Sequence, residues 1–222
     1  MPMTIPATGP ATDASELRIR DAGRTQRALL NAATAEFSEH GLEGARIDRI
    51  AEYAGVNKRL IYYYFGGKDG LFFAVLKSTY AGIRSAERAL DLTNVKPAEA
   101  IRRLVEFTWT YYLEHPEFLS LLNAENMCAA RHLKGSKEIR EVNSPLPEWL
   151  GEVLERGRTE GVFRGGVDPI QLYLSIAGQA YFYLSNKHTL STSFGRDLMS
   201  PRALAERLSH MTEVILGYLL ID

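Results

Sequence analysis

The sequence lacks several features that mark common protein classes. It holds a single cysteine, Cys128, which excludes an intramolecular disulfide and is typical of a reducing compartment, so we expect a cytoplasmic protein. No run of about 18 apolar residues is present, so no transmembrane helix and no membrane partner are expected. Residues 1–15 lack both a basic segment and a long apolar core, so we expect no secretion signal and predict a disordered arm.

Catalytic and metal-binding patterns are missing as well. The five histidines show no i, i+4 spacing that would place two metal ligands on one helix face. Gly66-Gly67-Lys68 lacks the glycine spacing and the following Ser or Thr of a phosphate-binding loop. Cys128 has no partner nearby in the sequence, and a buried apolar thiol is its default role. We therefore predict a binding protein that is not an enzyme and has neither a metal site nor a cofactor.

Charge is nearly balanced over the whole chain but not along it. The formal net charge is −1, which indicates no general affinity for nucleic acid. Residues 46–68, however, hold five cationic side chains against two acidic ones, a net charge of +3. A local basic patch of this size is sufficient for phosphate contacts if a dimer doubles it.

The basic patch coincides with a predicted pair of short helices. In residues 47–54 apolar side chains recur at i, i+3, i+4 and i+7, the period of one helix face, and Gly55 ends that helix. A second helix is predicted over residues 58–65, with Ile61 and Phe65 packed inward. The same helical period leaves the side chains of Lys58, Arg59 and Tyr63 facing outward. A helix of this kind, held by a small apolar seam, is typical of one that enters the DNA major groove.

The order of motifs around this pair resembles the tetracycline-repressor (TetR) family of bacterial transcription regulators. A leading helix ends in Phe37-Ser38-Glu39-His40-Gly41, and Ile-x-x-Ile-Ala-x-x-Ala-Gly-Val follows. Leu-Ile-Tyr-Tyr-Tyr-Phe and then Lys-Asp-x-Leu complete the pattern, which covers about residues 24–80. The combination is far more specific than a helix-turn-helix pattern alone.

The resemblance implies a set of DNA contacts. It places Lys58 and Arg59 at base edges, where arginine can bond guanine in a bidentate manner, although both could instead hold phosphates. Leu60 would touch a thymine methyl group or pack within the domain, and Tyr62 would hold a phosphate or pack in the core. The full set of predicted DNA-binding residues is Arg46, Lys58, Arg59, Leu60, Tyr62, Tyr63, Tyr64 and Lys68.

Helical periods continue through the rest of the chain, and no useful β-alternation occurs. We predict an all-α fold of about nine helices, with a polar loop from Gly135 to Asn143. The domain boundaries that follow are a helix-turn-helix DNA-binding domain over 16–70 and an effector-binding and dimerisation domain over 71–222. A helix that starts at Lys68 would join the two without a linker, so it could carry a shift from one to the other.

The larger domain is predicted to enclose a small-molecule effector, as the resemblance implies. No cluster of Arg or Lys marks an anionic ligand, so we expect an aromatic or apolar effector of unknown identity. Aromatic side chains with a few amides suit such a cavity, although core packing and exposed loops are the competing interpretation. The predicted effector-binding residues are Trp109, Tyr112, Phe118, Leu122, Asn123, Asn126, Met127 and Trp149.

The last two helices, about 169–188 and 201–220, are long and apolar and contain the small residues Ala177, Gly178 and Ala180. In the family such helices pair in a four-helix dimer bundle, whereas an intrachain core is the alternative. The sequence thus predicts a homodimeric, ligand-responsive regulator, a repressor that binds palindromic double-stranded DNA. The competing hypotheses are an all-helical small-molecule-binding protein or enzyme without DNA function, and a DNA-binding protein whose larger domain docks another protein.

Overall fold

The computed structural model describes residues 14–90, 92–143 and 145–221, and within them it is built from helices. The predicted all-α class is confirmed. Most of the arm predicted over residues 1–15 lies outside the described residues. The helices are α1 (Ala14–Gly44), α2 (Ile47–Tyr53), α3 (Arg59–Phe65), α4 (Lys68–Arg88), α5 (Pro97–Glu114), α6 (Pro116–Met127), α7 (Lys137–Asn143), α8 (Pro145–Thr159), α9 (Pro169–Ser185), α10 (Lys187–Phe194) and α11 (Pro201–Leu219), with a 3-10 turn at Leu92–Asn94.

The chain divides into two compact units between Ala74 and Val75, which lies within α4. We call the described residues of the first unit the head and those of the second unit the body. The sequence placed this boundary four residues earlier, at the start of α4. Within the described ranges, no helix is both long enough and apolar enough to cross a membrane.

The head packs α1 to α3 and the first turns of α4 around a small apolar core. Phe37 of α1 meets Phe72 of α4 edge to face, with ring centroids 5.0 Å apart. Ile50 of α2 and Ile61 of α3 are fully buried, as their spacing predicts, whereas Phe65 is only half-buried. Burial of one such side chain stabilises the fold by about 1.5–3 kcal/mol.

Two glycines allow α3 to end sharply and α4 to begin beside it. Gly66 adopts a left-handed conformation (φ 74°) at the C-terminal end of α3, where a side chain would be strained. Gly70 lies so close to the backbone of α3 that a Cβ atom would fall 1.8 Å from the carbonyl oxygen of Phe65. The turn that follows the exposed helix is therefore set by residues without side chains.

The body is centred on α5, which packs against α6, α8, α9 and α11. Its amphipathic period places Ile101, Leu104, Val105 and Thr108 inside. Proline begins α5, α6, α8, α9 and α11, where its missing N–H costs nothing. Asp168 and Ser200 cap α9 and α11 by accepting from backbone N–H groups three residues later.

One local prediction was wrong. Residues 137–143, predicted as part of a loop, form α7, whose Ile139 is buried and whose Asn143 accepts a hydrogen bond from Arg84. Tertiary contacts thus stabilise a polar segment too short to form a helix alone. Ala180, one of the small residues of the last helices, is fully buried in the core of its own chain.

Candidate nucleic-acid interface and ligand cavity

Helix α3 exposes a mixed cationic and aromatic face. Tyr62 is 56% exposed and Tyr63 is 79% exposed, which excludes the alternative that Tyr62 packs in the core. Lys58 and Arg59, at the N-terminal end of the helix, are also exposed, while Leu60 and Tyr64 are half-buried. Tyr63 and Tyr64 contact each other edge to face, with centroids 4.9 Å apart, so the phenol rings form one small cluster.

Lys58 is engaged by the neighbouring helix. Its Nζ lies 2.8 Å from Asp48 Oδ1 of α2, and both side chains are exposed. The hydrogen bond to Asp48 and its negative charge raise the pKa of Lys58. An exposed pair of this kind contributes little to stability because water screens it, so a phosphate or a base edge can replace Asp48 as the partner of the ammonium group.

Helix α2 is held in place by a buried carboxylate of α1. Glu36 Oε1 accepts from the backbone N–H of Arg46 at 2.8 Å and from Arg49 Nη2 at 2.5 Å, and Oε2 accepts from Arg49 Nε at 3.0 Å. Burial favours the neutral acid, but the hydrogen bonds from Arg49 and Arg46 outweigh it, so the pKa of Glu36 is lowered. Glu36 replaces the missing side-chain cap of α2, since Arg46 makes none.

The remaining predicted DNA-binding residues lie on the same unit. Arg46 is exposed at the N-terminus of α2, where its guanidinium group extends from the residue that precedes the helix. Lys68, half-buried at the start of α4, donates from Nζ to the carbonyl oxygen of Glu43 at 3.2 Å. The head therefore brings all eight predicted residues to one compact unit with several exposed donors.

In the body, a cavity of about 280 Å³ opens between the C-terminal end of α4 and the helices α7 and α8. Its wall is mostly apolar, with Trp149 as the single aromatic side chain. Charged side chains from the last turns of α4 complete it. The lining residues are Arg84, Glu87, Arg88, Leu92, Thr93, Val142, Pro145, Leu146 and Trp149.

Arg84 organises the polar side of this cavity. Its guanidinium group forms an ion pair with Glu87, donates from Nε to Asn143 Oδ1 at 2.9 Å and donates from Nη2 to the Tyr173 hydroxyl at 2.6 Å. It also lies 5.1 Å from the centroid of the Tyr173 ring. The Tyr112 hydroxyl is hydrogen-bonded to that of Tyr173, so side chains of α5, α7 and α9 gather around the buried cation of α4.

Glu87 is less completely satisfied than its partner. One carboxylate oxygen, Oε2, pairs with Arg84, whereas Oε1 is buried and has no hydrogen-bond partner among the described residues. Burial outweighs the attraction of Arg84 and raises the pKa of Glu87. An acceptor buried without a partner costs about 1–3 kcal/mol, which makes this oxygen unusual in a folded protein.

The residues predicted to bind an effector do not converge on one cavity. Trp149 lines the cavity described above, whereas Tyr112 is buried beside Tyr173, which accepts from Arg84. Trp109 and Phe118 pack in the core, Leu122 packs against it, and Asn123 accepts from Tyr181. Asn126 and Met127 are exposed at the C-terminal end of α6, and Met127 is 89% exposed.

Sequence reasoning missed Arg84 and Glu87, although a signal was present. The apolar stripe of α4 passes through Leu76, Tyr80 and Ile83, and its helical continuation falls on positions 84 and 87. Two opposite charges on the inward face of a helix indicate a buried pair.

An apolar strip remains exposed on the last long helices. Ile170, Leu174 and Phe182 recur along one face of α9 and are 51%, 54% and 59% exposed. Val214 and Tyr218 of α11 are exposed in the same way. Side chains of this size are seldom left in water in such a row, so the strip is a candidate interaction surface.

Two family models match the chain. Residues 29–75 match "Bacterial regulatory proteins, tetR family", and residues 97–215 match "Tetracyclin repressor-like, C-terminal domain". The first match covers α2, α3 and the turn after them, and the second covers the helices of the body from α5 into α11.

One curated relative matches most of the chain, and a second matches about half of it. The HTH-type transcriptional repressor NicS of Pseudomonas putida is 39% identical over 200 residues, which are 90% of this chain and 94% of NicS. The HTH-type transcriptional repressor SCO4008 of Streptomyces coelicolor is 41% identical over 110 residues, 49% of this chain and 53% of the relative.

Solved structures share the fold at low sequence identity. A TetR family transcription regulator from Marinobacter aquaeolei VT8 superposes with a TM-score of 0.68 at 18% identity, covering 92% of this chain and 100% of that one. The transcriptional regulator SCO4942 from Streptomyces coelicolor gives a TM-score of 0.66 at 18% identity, covering 88% of this chain and 98% of the other.

Proposed function

This chain belongs to the TetR family of bacterial transcription regulators, and we propose that it is a homodimeric repressor that leaves its operator when a small-molecule effector binds the body. Two relatives whose names describe them as transcriptional repressors support the sign of regulation. Such a protein works where the chromosome is, so we propose a cytoplasmic location. The observation that carries the proposal is the exposed face of α3.

On this face, Arg59 is the best candidate for a base contact. It is exposed at the first position of α3, and no hydrogen bond to its side chain constrains it among the described residues. A bidentate arginine–guanine contact is worth about 1–3 kcal/mol of discrimination. Lys58 can join it once Asp48 is displaced, and Leu60 lies beside them for a thymine methyl group.

The surrounding donors suit the phosphate backbone. Tyr62, Tyr63 and Tyr64 supply phenol hydroxyls along α3, while Arg46 and Lys68 supply charges at the starts of α2 and α4. Phosphate contacts of this kind position a protein on the duplex without reading sequence. The head thus combines one or two cations that contact bases with several donors that hold the phosphate backbone.

A homodimer would supply a second copy of α3. We place its interface on the exposed strip of α9 and α11, where Gly178 and Gly217 leave open space that permits close helix approach. Two α3 helices about 34 Å apart would then read a near-palindrome. The effector would release the protein from DNA if it favours a body conformation in which this spacing no longer matches the groove.

Selection of bound sequences from random duplex DNA tests the proposal. The wild type is expected to enrich a palindrome, while Lys58→Ala/Arg59→Ala protein enriches none. Lys137→Ala/Arg202→Ala is a matched control that removes one exposed lysine and one exposed arginine from body helices, each paired with a carboxylate one turn away. It should behave like the wild type.

Enrichment by the wild type and by the control alone would establish a dimeric sequence reader. Folded dimeric protein that enriches no sequence would contradict the proposal and favour a small-molecule-binding protein without DNA function. Enrichment that survives in Lys58→Ala/Arg59→Ala protein would remove α3 from the role of sequence reader.

A further inference from the structure

The body cavity has an apolar interior and a positively charged opening. Leu92 is buried within its wall, and Val142, Leu146 and Trp149 are half-buried. Arg88 is the exposed cation of the lining, so it lies at the opening of the cavity rather than in its interior. A ligand that matches this wall has an apolar body and a polar group at one end.

The charges of the lining residues do not cancel. Arg84 and Glu87 form an ion pair with each other, and both side chains are only 6% exposed. Arg88 acts on Glu87 through its charge alone, and its side chain forms no ion pair or hydrogen bond within residues 14–90, 92–143 and 145–221. Two guanidinium groups thus stand against one carboxylate, which leaves one positive charge at the opening for a ligand to compensate.

The amount of charge and the shape of the donor favour a carboxylate. A guanidinium group offers two parallel N–H donors that match the two oxygens of a carboxylate. A phosphate monoester carries a charge of about −1.5 to −2 at pH 7, which one arginine does not balance beside an apolar wall. A neutral ligand fills the apolar interior equally well but gains nothing from the charge of Arg88, and an ammonium ligand is repelled by it.

The volume of the cavity limits the apolar body of the ligand to one ring or two fused rings. A cavity of about 150 Å³ admits benzene, and this one has a volume of about 280 Å³. Trp149 is the aromatic side chain of the wall, and its flat indole surface favours a planar ring as its neighbour.

We propose, on the premise of the effector-released repressor above, that the effector is an aromatic carboxylate of one or two rings whose carboxylate pairs with Arg88 at the opening of this cavity. Its ring packs on Trp149 and Leu146 of α8, so the ligand joins the last turn of α4 to α8. The first turns of α4 belong to the head, so the ligand acts on a helix that both units share.

Paired probes of nearly equal shape that differ in charge test the site. We would titrate full-length protein, labelled with 5-fluorotryptophan, with 4-methylbenzoate and 4-methylbenzamide, and with 2-naphthoate and 2-naphthamide. The chain holds two tryptophans, so the fluorine resonance that is missing from Trp149→Phe protein belongs to Trp149. Each carboxylate is expected to shift that resonance and to bind at least about fivefold more tightly than its amide, because only the carboxylate is charged.

Variants connect the preference for a carboxylate to Arg88. Arg88→Met removes the charge but keeps an unbranched side chain, so the two members of each probe pair should bind equally. Arg88→Lys keeps the charge but loses the paired donors, and it should retain part of the preference. Arg140→Met is the matched control, because Arg140 is an exposed arginine of α7 that does not line the cavity and has no ion pair among the described residues. It should retain the full preference.

A change that fills the cavity locates the ring of the probe. Leu146→Phe leaves the charges of the wall unchanged and should abolish the Trp149 shift for every probe. Equal affinity of wild-type protein for each carboxylate and its amide would overturn the inference. A preference that Arg88→Met protein retains, or a Trp149 resonance that no probe shifts, would overturn it as well.

A mobility-shift assay on the selected duplex separates failure of this site from failure of the proposed function. A carboxylate that saturates the site should release the duplex, and saturation without release would overturn its role as effector. Specific DNA binding without a preference for carboxylates would refute only the effector site. A preference that depends on Arg88, in protein that enriches no DNA sequence, would refute the regulator and retain the carboxylate site.

Discussion

The head and the body each bury a glutamate against an arginine, and they satisfy it to different degrees. Glu36 of the head has donors on both oxygens, and its pKa is lowered. Glu87 of the body has Arg84 on one oxygen and nothing described on the other, and its pKa is raised. The comparison teaches that hydrogen-bond donors on both oxygens keep a buried carboxylate ionised, whereas burial dominates when one oxygen lacks a donor.

The exposed surfaces of the head and the body also differ. The head exposes cations and phenols on α3, which suit a polyanion that arrives and leaves. The body exposes an apolar strip on α9 and α11, which suits a permanent partner of its own kind. Five changes, from the largest expected effect to the smallest, test these contrasts.

The strongest test introduces charge into the apolar strip. Leu174→Glu/Phe182→Glu should weaken the dimer by about 1,000-fold, because two unpaired carboxylates would be buried in its interface. Analytical ultracentrifugation measures the loss, and palindrome binding should disappear with it. Met127→Glu, at a position 89% exposed on α6, is the control and should leave the dimer intact. A double variant that remains dimeric would move the interface elsewhere.

Replacement of Glu36, whose two carboxylate oxygens both accept hydrogen bonds, tests what stabilises the head. Glu36→Ala should destabilise it by about 2–4 kcal/mol, since Arg49 loses its partner and the first turn of α2 loses its cap. Urea unfolding followed by circular dichroism measures this loss. Glu39→Ala, on the exposed side of the same helix, should cost far less. Equal losses in the two variants would contradict the scaffold role of Glu36.

Sequence reading and phosphate binding should separate within the head. Arg59→Ala is expected to lose about 1–3 kcal/mol on the selected operator and to relax preference at one base position. Lys68→Ala should weaken all duplexes alike and reduce the salt dependence of binding. Titration of matched and mutated operators at several salt concentrations distinguishes the two. An Arg59→Ala protein with unchanged base preference would assign Arg59 to the backbone.

Asp48 should restrain Lys58 in the free protein. Asp48→Asn releases that ammonium group and removes a negative charge near the DNA, so operator affinity is expected to rise a few-fold. Fluorescence anisotropy at low salt measures the gain. Asp21→Asn, which breaks an exposed pair with Arg24 on α1, is the matched control. An equal gain in both variants would indicate a general charge effect.

The two carboxylates should also respond oppositely to pH. The pKa of Glu36 lies below the ordinary 4.5, so its stabilisation is present above that pH and is lost as pH falls through the lowered pKa. The pKa of Glu87 lies above 4.5, so its contribution is present below that value and is lost as pH rises through the raised pKa. These changes in the free energy of unfolding with pH are the smallest of the five expected effects.

Unfolding free energies measured over about pH 3–7 for the wild type, Glu36→Gln and Glu87→Gln test this contrast. The advantage of the wild type over Glu36→Gln should shrink on acidification, and its difference from Glu87→Gln should shift in the opposite direction. Parallel profiles would contradict the contrast between the completed and the incomplete pair.

The amino-acid sequence by itself determined the helical class, the helix-turn-helix and the face that α3 exposes. These depend on local periods and on turn residues such as Gly55 and Gly66, which act within a few positions. The prediction that Ile61 packs inward while Lys58, Arg59 and Tyr63 face outward followed from spacing alone and agrees with the burial of each side chain.

Only the tertiary structure decided which body residues form a cavity. Arg84 meets Asn143, 59 positions later, and Tyr173, 89 positions later, and no local pattern encodes such pairings. The same long-range packing put Trp109 and Phe118 in the core and left Met127 in solvent. Periodicity determines which side of a helix is buried, but the neighbour that buries it is set by how distant helices pack.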